Sequence, residues 1–416
     1  MYDFANSGYT TVVLTAVFNA YFVAVVAAGA KGSVQGAGTL YWTIAIAITN
    51  AVVLVSAPVV GAVADHRADK KRFLAVTTVG CVLFTACLAA VGPGDVWLGM
   101  ALVILATVMF HTGENLIAAF LPQIAPQADM GRISGYGWAL GYLGGLVVLG
   151  MCLLYVSWAQ AHGQGATQYV PVTMLITAAM FALAAMPTFL WLPERGAASP
   201  LPPGQGYIAV GFARLQHTLK HVRHYKDLFW FLLSLTAYYC GIYTVIVLAA
   251  IYAREVMGFD TAGTLKLILV INITAAVGAL GFGYLQDVFG SKRTLALTLV
   301  LWIVALVQAY LTRSQAGFWL AGNLVGLAMG SSQSAGRALV GQFSPPQRAA
   351  EFFGLWGLAG KLAAIVGPLS YGTITYLTQG QQRLAILSTA TFFLIGLLLL
   401  ATIDEKRGRA AALAER

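Results

Sequence analysis

The chain has 416 residues, 59% hydrophobic and only 9% charged, with a formal net charge of +9. Soluble domains carry about 25% charged residues, and a soluble core cannot absorb this much apolar surface, so lipid must cover it. The positive balance does not point to nucleic acid, because the basic residues sit in short loops beside apolar runs, where they set membrane orientation.

Crossing a bilayer takes roughly 20 apolar residues at 1.5 Å rise each. Such runs predict spans at 5–28, 39–63, 73–91, 97–121, 133–156, 170–192, 228–252, 262–285, 294–311, 317–342, 352–377 and 384–402. The fold class is therefore all-α integral membrane, with 12 transmembrane helices. Seventeen of the 24 Lys and Arg fall in one set of alternate loops and four in the other. That bias places both termini in the cytoplasm.

Span one begins almost at Met1. No basic region precedes it, so no cleavable signal peptide is visible, and the short lead suggests a native start upstream. Asp3 and Asn6 either cap this helix or bond a neighbouring one. Tyr9, Thr15 and Asn19 lie at the depth of a central cavity. Span two ends at Asp65, close to Lys70, Lys71 and Arg72. Cys81, Cys87, Cys152 and Cys240 all lie in spans without CxxC spacing and read as small packing residues.

Glu114 in span four is the only carboxylate well inside a predicted span. Ionisable groups there cost about 2.5–3.5 kcal/mol on insertion scales, so each is a functional candidate. Span five adds Trp138 and Tyr142, with Gly137, Gly141, Gly144 and Gly145 for close helix contact. The 193–227 connection starts Pro/Gly-rich. From Tyr207 to Lys226 it turns amphipathic, with Phe212, Leu215, Leu219 and Val222 on one face, as in a helix lying on the cytoplasmic membrane surface. His217, His221 and His224 have helical spacing; they read as a solvated basic face rather than a metal site.

Span seven carries Tyr239 and Tyr243, and span eight ends in Asp287, Lys292 and Arg293. Lys266, near the outer surface, is placed to snorkel. Span ten brings Gln333 and Arg337. Lys361 lies about ten residues into span eleven, roughly 15 Å deep and near the midplane. It either binds a solute carboxylate or phosphate or pairs with Glu114. Residues 404–416 form a cytoplasmic tail.

The chain repeats itself. Gly61, Asp65 and Lys70 match Gly283, Asp287 and Lys292 at an offset of 222, and Pro126, Gly135 and Gly141 match Pro345, Gly354 and Gly360 at 219. The second offset also pairs Glu114 with Gln333 and Tyr142 with Lys361. Parallel six-span halves, at 1–192 and 228–403, predict a transporter with its solute held between them. Glu114 then has two readings. It carries a coupling proton, or it pairs with Arg337 as a cytoplasmic gate; a permanent buried pair is the alternative to both.

The Gly61-x-x-x-Asp65 turn with its basic residues resembles the signature loop of the major facilitator superfamily, with a degenerate copy at 283–293. Further stretches resemble the autophagy-type vacuolar effluxers and their bacterial relatives. These are Tyr2 to Tyr9, Leu121 to Ala125, Gly131 to Gly145, Gln333 with Arg337, and Glu351 to Leu355. Ala68 departs from the glycine of the signature turn, and Ala118 from an expected asparagine. The resemblance implies a secondary transporter, with amino-acid efflux in vacuolar members. It also implies a gating role for Asp65 and Asp287 with their basic neighbours.

The expected function is alternating-access transport of a small polar or zwitterionic solute, proton-coupled, in a bacterial inner membrane. Tyr142, Trp138, Asn19, Tyr239, Tyr243 and Gln333 would line the site with Lys361. Amphipathic drugs, peptides and organic anions are the alternative cargo. No Gly-x-x-x-x-Gly-Lys-Ser/Thr loop is present, and neither cofactor nor partner chain is expected. A membrane enzyme or scaffold would need clustered acid, His or Ser groups, whereas His66, His111 and His162 read as isolated.

Overall fold

The structure, a computed structural model, describes residues 1–30, 34, 36–67, 70–118, 120, 130–192, 206, 209, 213, 216, 225–343 and 349–413. Within these, the side chains at 57–59, 61–67, 118, 130–139, 280, 283–284, 286–288, 334, 337–338, 349–353 and 413 are not described. The expected surface helix at 207–226, with its three histidines, lies almost wholly outside the described residues.

Among the described residues the regular structure is helical. The helices are α1 (Tyr2–Ala27), α2 (Ala37–Arg67), α3 (Lys70–Cys87), α4 (Val96–Ala118), α5 (Met130–Ala161) and α6 (Ala166–Trp191). They continue as α7 (Lys226–Glu255), α8 (Thr261–Phe289), α9 (Ser291–Leu311), α10 (Gln315–Phe343), α11 (Ala349–Leu377), α12 (Gln382–Ala401) and α13 (Glu405–Leu413). Ten of these, α1 to α9 and α12, are long and apolar enough to cross a membrane. Large apolar side chains such as Trp97, Leu154, Leu190 and Trp191 project from them. Water would not tolerate that surface, and acyl chains cover it.

Helix α1 is not uniform. Thr10–Ala16 and Phe22–Ala27 are π-helical, and Val17 N–H reaches back five residues to the Val12 carbonyl, at 2.9 Å. Two local causes are visible. The hydroxyls of Thr10 and Thr11 bond the carbonyls of Asn6 and Ser7, competing with the ordinary ladder. At the exit, Asn19 Oδ1 accepts the Ala20 N–H at 2.7 Å while its Nδ2 donates to Thr15 O. Wide turns of this kind concentrate at functional positions in helices.

The chain divides into two compact units, Met1–Ala213 with Asp260–Leu265 and Arg214–Phe259 with Lys266–Arg416. Each unit repeats one packing scheme. In the first, α1 packs on α5 and α6, α3 on α4, and α3 on α6; in the second, α7 packs on α11 and α12, α9 on α10, and α9 on α12. Helices α1 and α7, each 72% buried over its most apolar stretch, are the central members. Two glycines allow a close approach to the central helices. A Cβ at Gly144 would stand 2.3 Å from the Phe4 carbonyl oxygen, and one at Gly367 2.1 Å from that of Cys240. No side chain fits at either place, so α5 and α11 touch the backbone of their unit's central helix.

Candidate functional site

In the first unit, polar groups gather where α1 meets α3 and α4. The Tyr2 hydroxyl bonds Thr78 Oγ1 at 2.8 Å and lies over Gly113, 2.6 Å from where a Cβ would sit. About two helical turns further along α1, the Tyr9 hydroxyl bonds Thr107 Oγ1 at 2.7 Å, and its ring stacks on Phe110 with centroids 5.0 Å apart. Asp3 is thereby held against α5, with its Cβ 3.6 Å from the place of a Cβ on Gly141. It is close enough to Glu114 for the two charges to interact.

Glu114 sits on the same face of α4 as His111. His111 Nδ1 stands 3.1 Å from Glu114 Oε2, with 16% and 47% of the two side chains exposed. This corrects the sequence reading of His111 as isolated. An i,i+3 pair on one helix is near-neighbour geometry, and the spacing was there to be read. The Arg337 side chain, and with it the expected Glu114–Arg337 pair, lies outside the described residues.

In the second unit, α7 and α11 bring aromatic rings together beside a lysine. Tyr239 packs edge-on against Tyr238, Tyr243 and Trp356, with centroids 5.1, 5.8 and 6.4 Å apart. Gly360 faces this cluster: a Cβ there would lie 3.4 Å from the Tyr243 hydroxyl and 3.7 Å from the Tyr239 ring. Lys361, the next residue, is half-buried. On its own helix face, Gly357 and Gly354 open onto space, since a Cβ at either would meet nothing within 4 Å. The sequence named Tyr239, Tyr243 and Lys361 but missed Trp356, whose helical phase with Gly360 was the available signal.

The other expected site residues divide. Gln333 is half-buried on α10, beside Ser332, whose hydroxyl accepts from Trp302 Nε1 at 3.2 Å. Tyr142 is 41% exposed on α5. Asn19 is fully buried, with its amide bonded to its own helix backbone as described above. Trp138, Asp65 and Asp287 lie in α5, α2 and α8, and their side chains are outside the described residues.

The basic residues of the two signature turns have definite partners. Lys71 Nζ donates to the Leu192 carbonyl at 2.9 Å, just past α6. Lys292 Nζ donates to the carbonyls of Ile403 and Ala401, at 2.5 and 3.3 Å, at the end of α12. In each unit, then, a lysine opening the third helix satisfies carbonyls at the end of the sixth, where the helix dipole also favours a cation. Lys70 is half-buried and Arg293 exposed.

The predicted tail carries α13, which is tied down. Arg407 Nε and Nη2 donate to the two oxygens of Asp227, each at 2.7 Å, and the Asp404 N–H donates to Asp227 Oδ1 at 2.9 Å. The Asp227 side chain is only 5% exposed, so this bidentate pair is partly desolvated. The backbone N–H groups of Arg407 and Lys406 hold the Asp404 carboxyl below its ordinary value.

A family described as vacuole effluxer Atg22 like matches residues 34–131 and 127–413. The chain belongs to this family. The uncharacterised MFS-type transporter YxiO of Bacillus subtilis is 29% identical over 410 residues, covering 98% of this chain and 94% of that protein. Autophagy-related protein 22-1 of Aspergillus fumigatus is 29% identical over 312 residues, 68% of this chain. The match takes in 49% of that protein, so the chain spans about half the length of its fungal relatives. The inward open structure of the xylose transporter XylE from E. coli superposes with a TM-score of 0.70 at 14% identity, covering 97% of this chain and 94% of that one. At that identity the likeness speaks to the fold. The family and the fold make the chain a multi-pass membrane protein and a transporter of the major facilitator type, not an enzyme.

Proposed function

We propose that the chain moves a small polar metabolite with an anionic group, an amino acid first, by proton-coupled, rocker-switch alternating access. Lys361 carries this reading. A cation in the interior of a membrane helix is costly and calls for a use, and this one stands beside open space and next to an aromatic wall. Its ammonium suits a carboxylate, and the rings of Tyr239, Tyr243 and Trp356 suit the apolar part of a zwitterion. Membership of the vacuole-effluxer family supports a solute carrier and leaves the cargo to the site.

Residues 1–192 and 228–403 are read as the two moving bundles, 193–227 as their connection and 404–416 as the tail. The loop charges support both termini in the cytoplasm, and the membrane is read as a bacterial inner membrane. Glu114 carries the coupling proton. Asp65, Asp287, Arg337, Lys70 and Arg293 form the gate region. Lys71 and Lys292 pin the third helix to the end of the sixth, so each bundle moves as a body. The aromatic cluster also suits a second cargo class, amphipathic drugs and organic anions.

The test is a thermal-shift screen of the purified protein against L-amino acids, peptides, organic anions and cationic dyes across pH, since a ligand stabilises the state it binds. An amino acid is expected to raise Tm, and Lys361→Ala to abolish that shift. A shift retained by Lys361→Ala removes Lys361 from the site.

A further inference from the structure

We propose that His111 and Glu114 form a proton-binding dyad, holding one exchangeable proton between imidazole Nδ1 and the carboxylate, with Asp3 as the neighbouring negative charge. The inference deepens the proton-coupled reading of Glu114 and rests on it.

The geometry suits either protonation state. At 3.1 Å, an Nδ1–H can donate to ionised Glu114, or a protonated Glu114 can donate to Nδ1. The proton changes owner without movement of the heavy atoms. It enters and leaves through the Glu114 carboxylate, the more open of the two groups, with its side chain 47% exposed against 16% for His111. No bond other than O–H and N–H is made or broken. The pair titrates as a unit, since two groups in direct hydrogen-bond contact share their macroscopic steps.

The surroundings make occupancy matter. Asp3 lies near Glu114, and a bound proton relieves the repulsion between them. Tyr2 fixes that arrangement, its hydroxyl bonded to Thr78 and packed over Gly113, the residue before Glu114. Phe110 closes the inner side, its ring 4.8 Å from that of His111 and stacked on Tyr9. Tyr2 and Asp3 from α1 and, behind Tyr2, Cys81 from α3 are titratable groups near the dyad. Proton arrival therefore changes the charge felt at the start of α1, the central helix of this unit. His111 is a positioning residue: it sets the proton affinity of Glu114 and fixes its orientation.

The test is infrared titration of the full chain in lipid, with the proton itself as the probe. The carboxylic-acid C=O band is followed against pH, together with the ring bands of isotope-labelled histidine. In the wild-type protein a carboxyl component and a histidine component are expected to change at one shared midpoint. Glu114→Gln removes the carboxyl component. His111→Asn keeps it and displaces its midpoint by about one pH unit, and Asp3→Asn displaces it too. A midpoint unmoved by His111→Asn overturns the dyad. Should that variant fail to fold, separate midpoints for the two bands in the wild-type protein overturn it equally. The underlying reading fails differently: wild-type proteoliposomes would then show no accumulation driven by a pH gradient, whatever the midpoints do.

Discussion

The two units share a packing scheme and differ in the chemistry placed on it. In the first, hydroxyls, an imidazole and carboxylates gather where the central helix α1 approaches α3 and α4: Tyr2, Asp3, His111 and Glu114. In the second, the central helix α7 meets α11 through rings and a lysine: Tyr239, Tyr243, Trp356 and Lys361. One duplicated scaffold thus carries groups suited to protons on one side of the repeat and groups suited to a solute on the other. The ends of the units differ as well. Both use a lysine to hold the end of the sixth helix, and among the described residues the second adds the α13 strap through Asp227 and Arg407.

The largest effects should come from breaking what the units have in common. Gly144→Val in the first unit and Gly367→Val in the second both force a side chain into backbone. Each is expected to cost about 3 kcal/mol or more, read as loss of the monodisperse peak in gel filtration. A well-behaved Gly144→Val protein would contradict the close approach of α5 to Phe4. Next come the lysine pins. Lys71→Met should destabilise by about 1 kcal/mol. Lys292→Met should cost less, because α13 still holds the end of α12; equal losses in thermal unfolding would deny the strap that role. Asp227→Asn or Arg407→Ala should lower Tm by a few degrees and expose the 405–413 region to proteolysis.

The smallest effect is pH dependence of the strap. The Asp404 carboxyl is held below its ordinary value in the folded protein. Its contribution is therefore complete above about pH 4, the ordinary aspartate value, and is lost as pH falls through the folded value. After correction for the intrinsic chemical rate, the protection of α13 from hydrogen exchange should fall on acidification below that range and stay flat from there to neutrality. Protection that falls toward neutral pH would contradict the assignment.

Much of this was legible in the sequence. The predicted spans at 294–311 and 384–402 correspond to α9 (Ser291–Leu311) and α12 (Gln382–Ala401), because lipid-facing helices must be apolar along their length. The fifth span was read as 133–156, whereas α5 runs Met130–Ala161; hydropathy follows the apolar stretch, not the hydrogen-bond ladder that continues past it. The π turns of α1 left no pattern, since they arise from competition among Thr10, Thr11 and Asn19 for backbone groups. The acceptor of Lys71 lies 121 residues away and that of Arg407 180 residues away, so neither could be read from local spacing. His111 and Glu114 had the right spacing and were still read apart, because hydropathy weighs residues singly and a pair is a matter of shared face.

The most direct test of this division of labour is transport by proteoliposomes of the amino acid that gives the largest thermal shift, comparing Glu114→Gln with Lys361→Ala. Glu114→Gln should lose accumulation driven by a pH gradient yet keep solute-for-solute exchange, while Lys361→Ala should lose both. Proton-driven accumulation surviving in Glu114→Gln, or exchange surviving in Lys361→Ala, would contradict it.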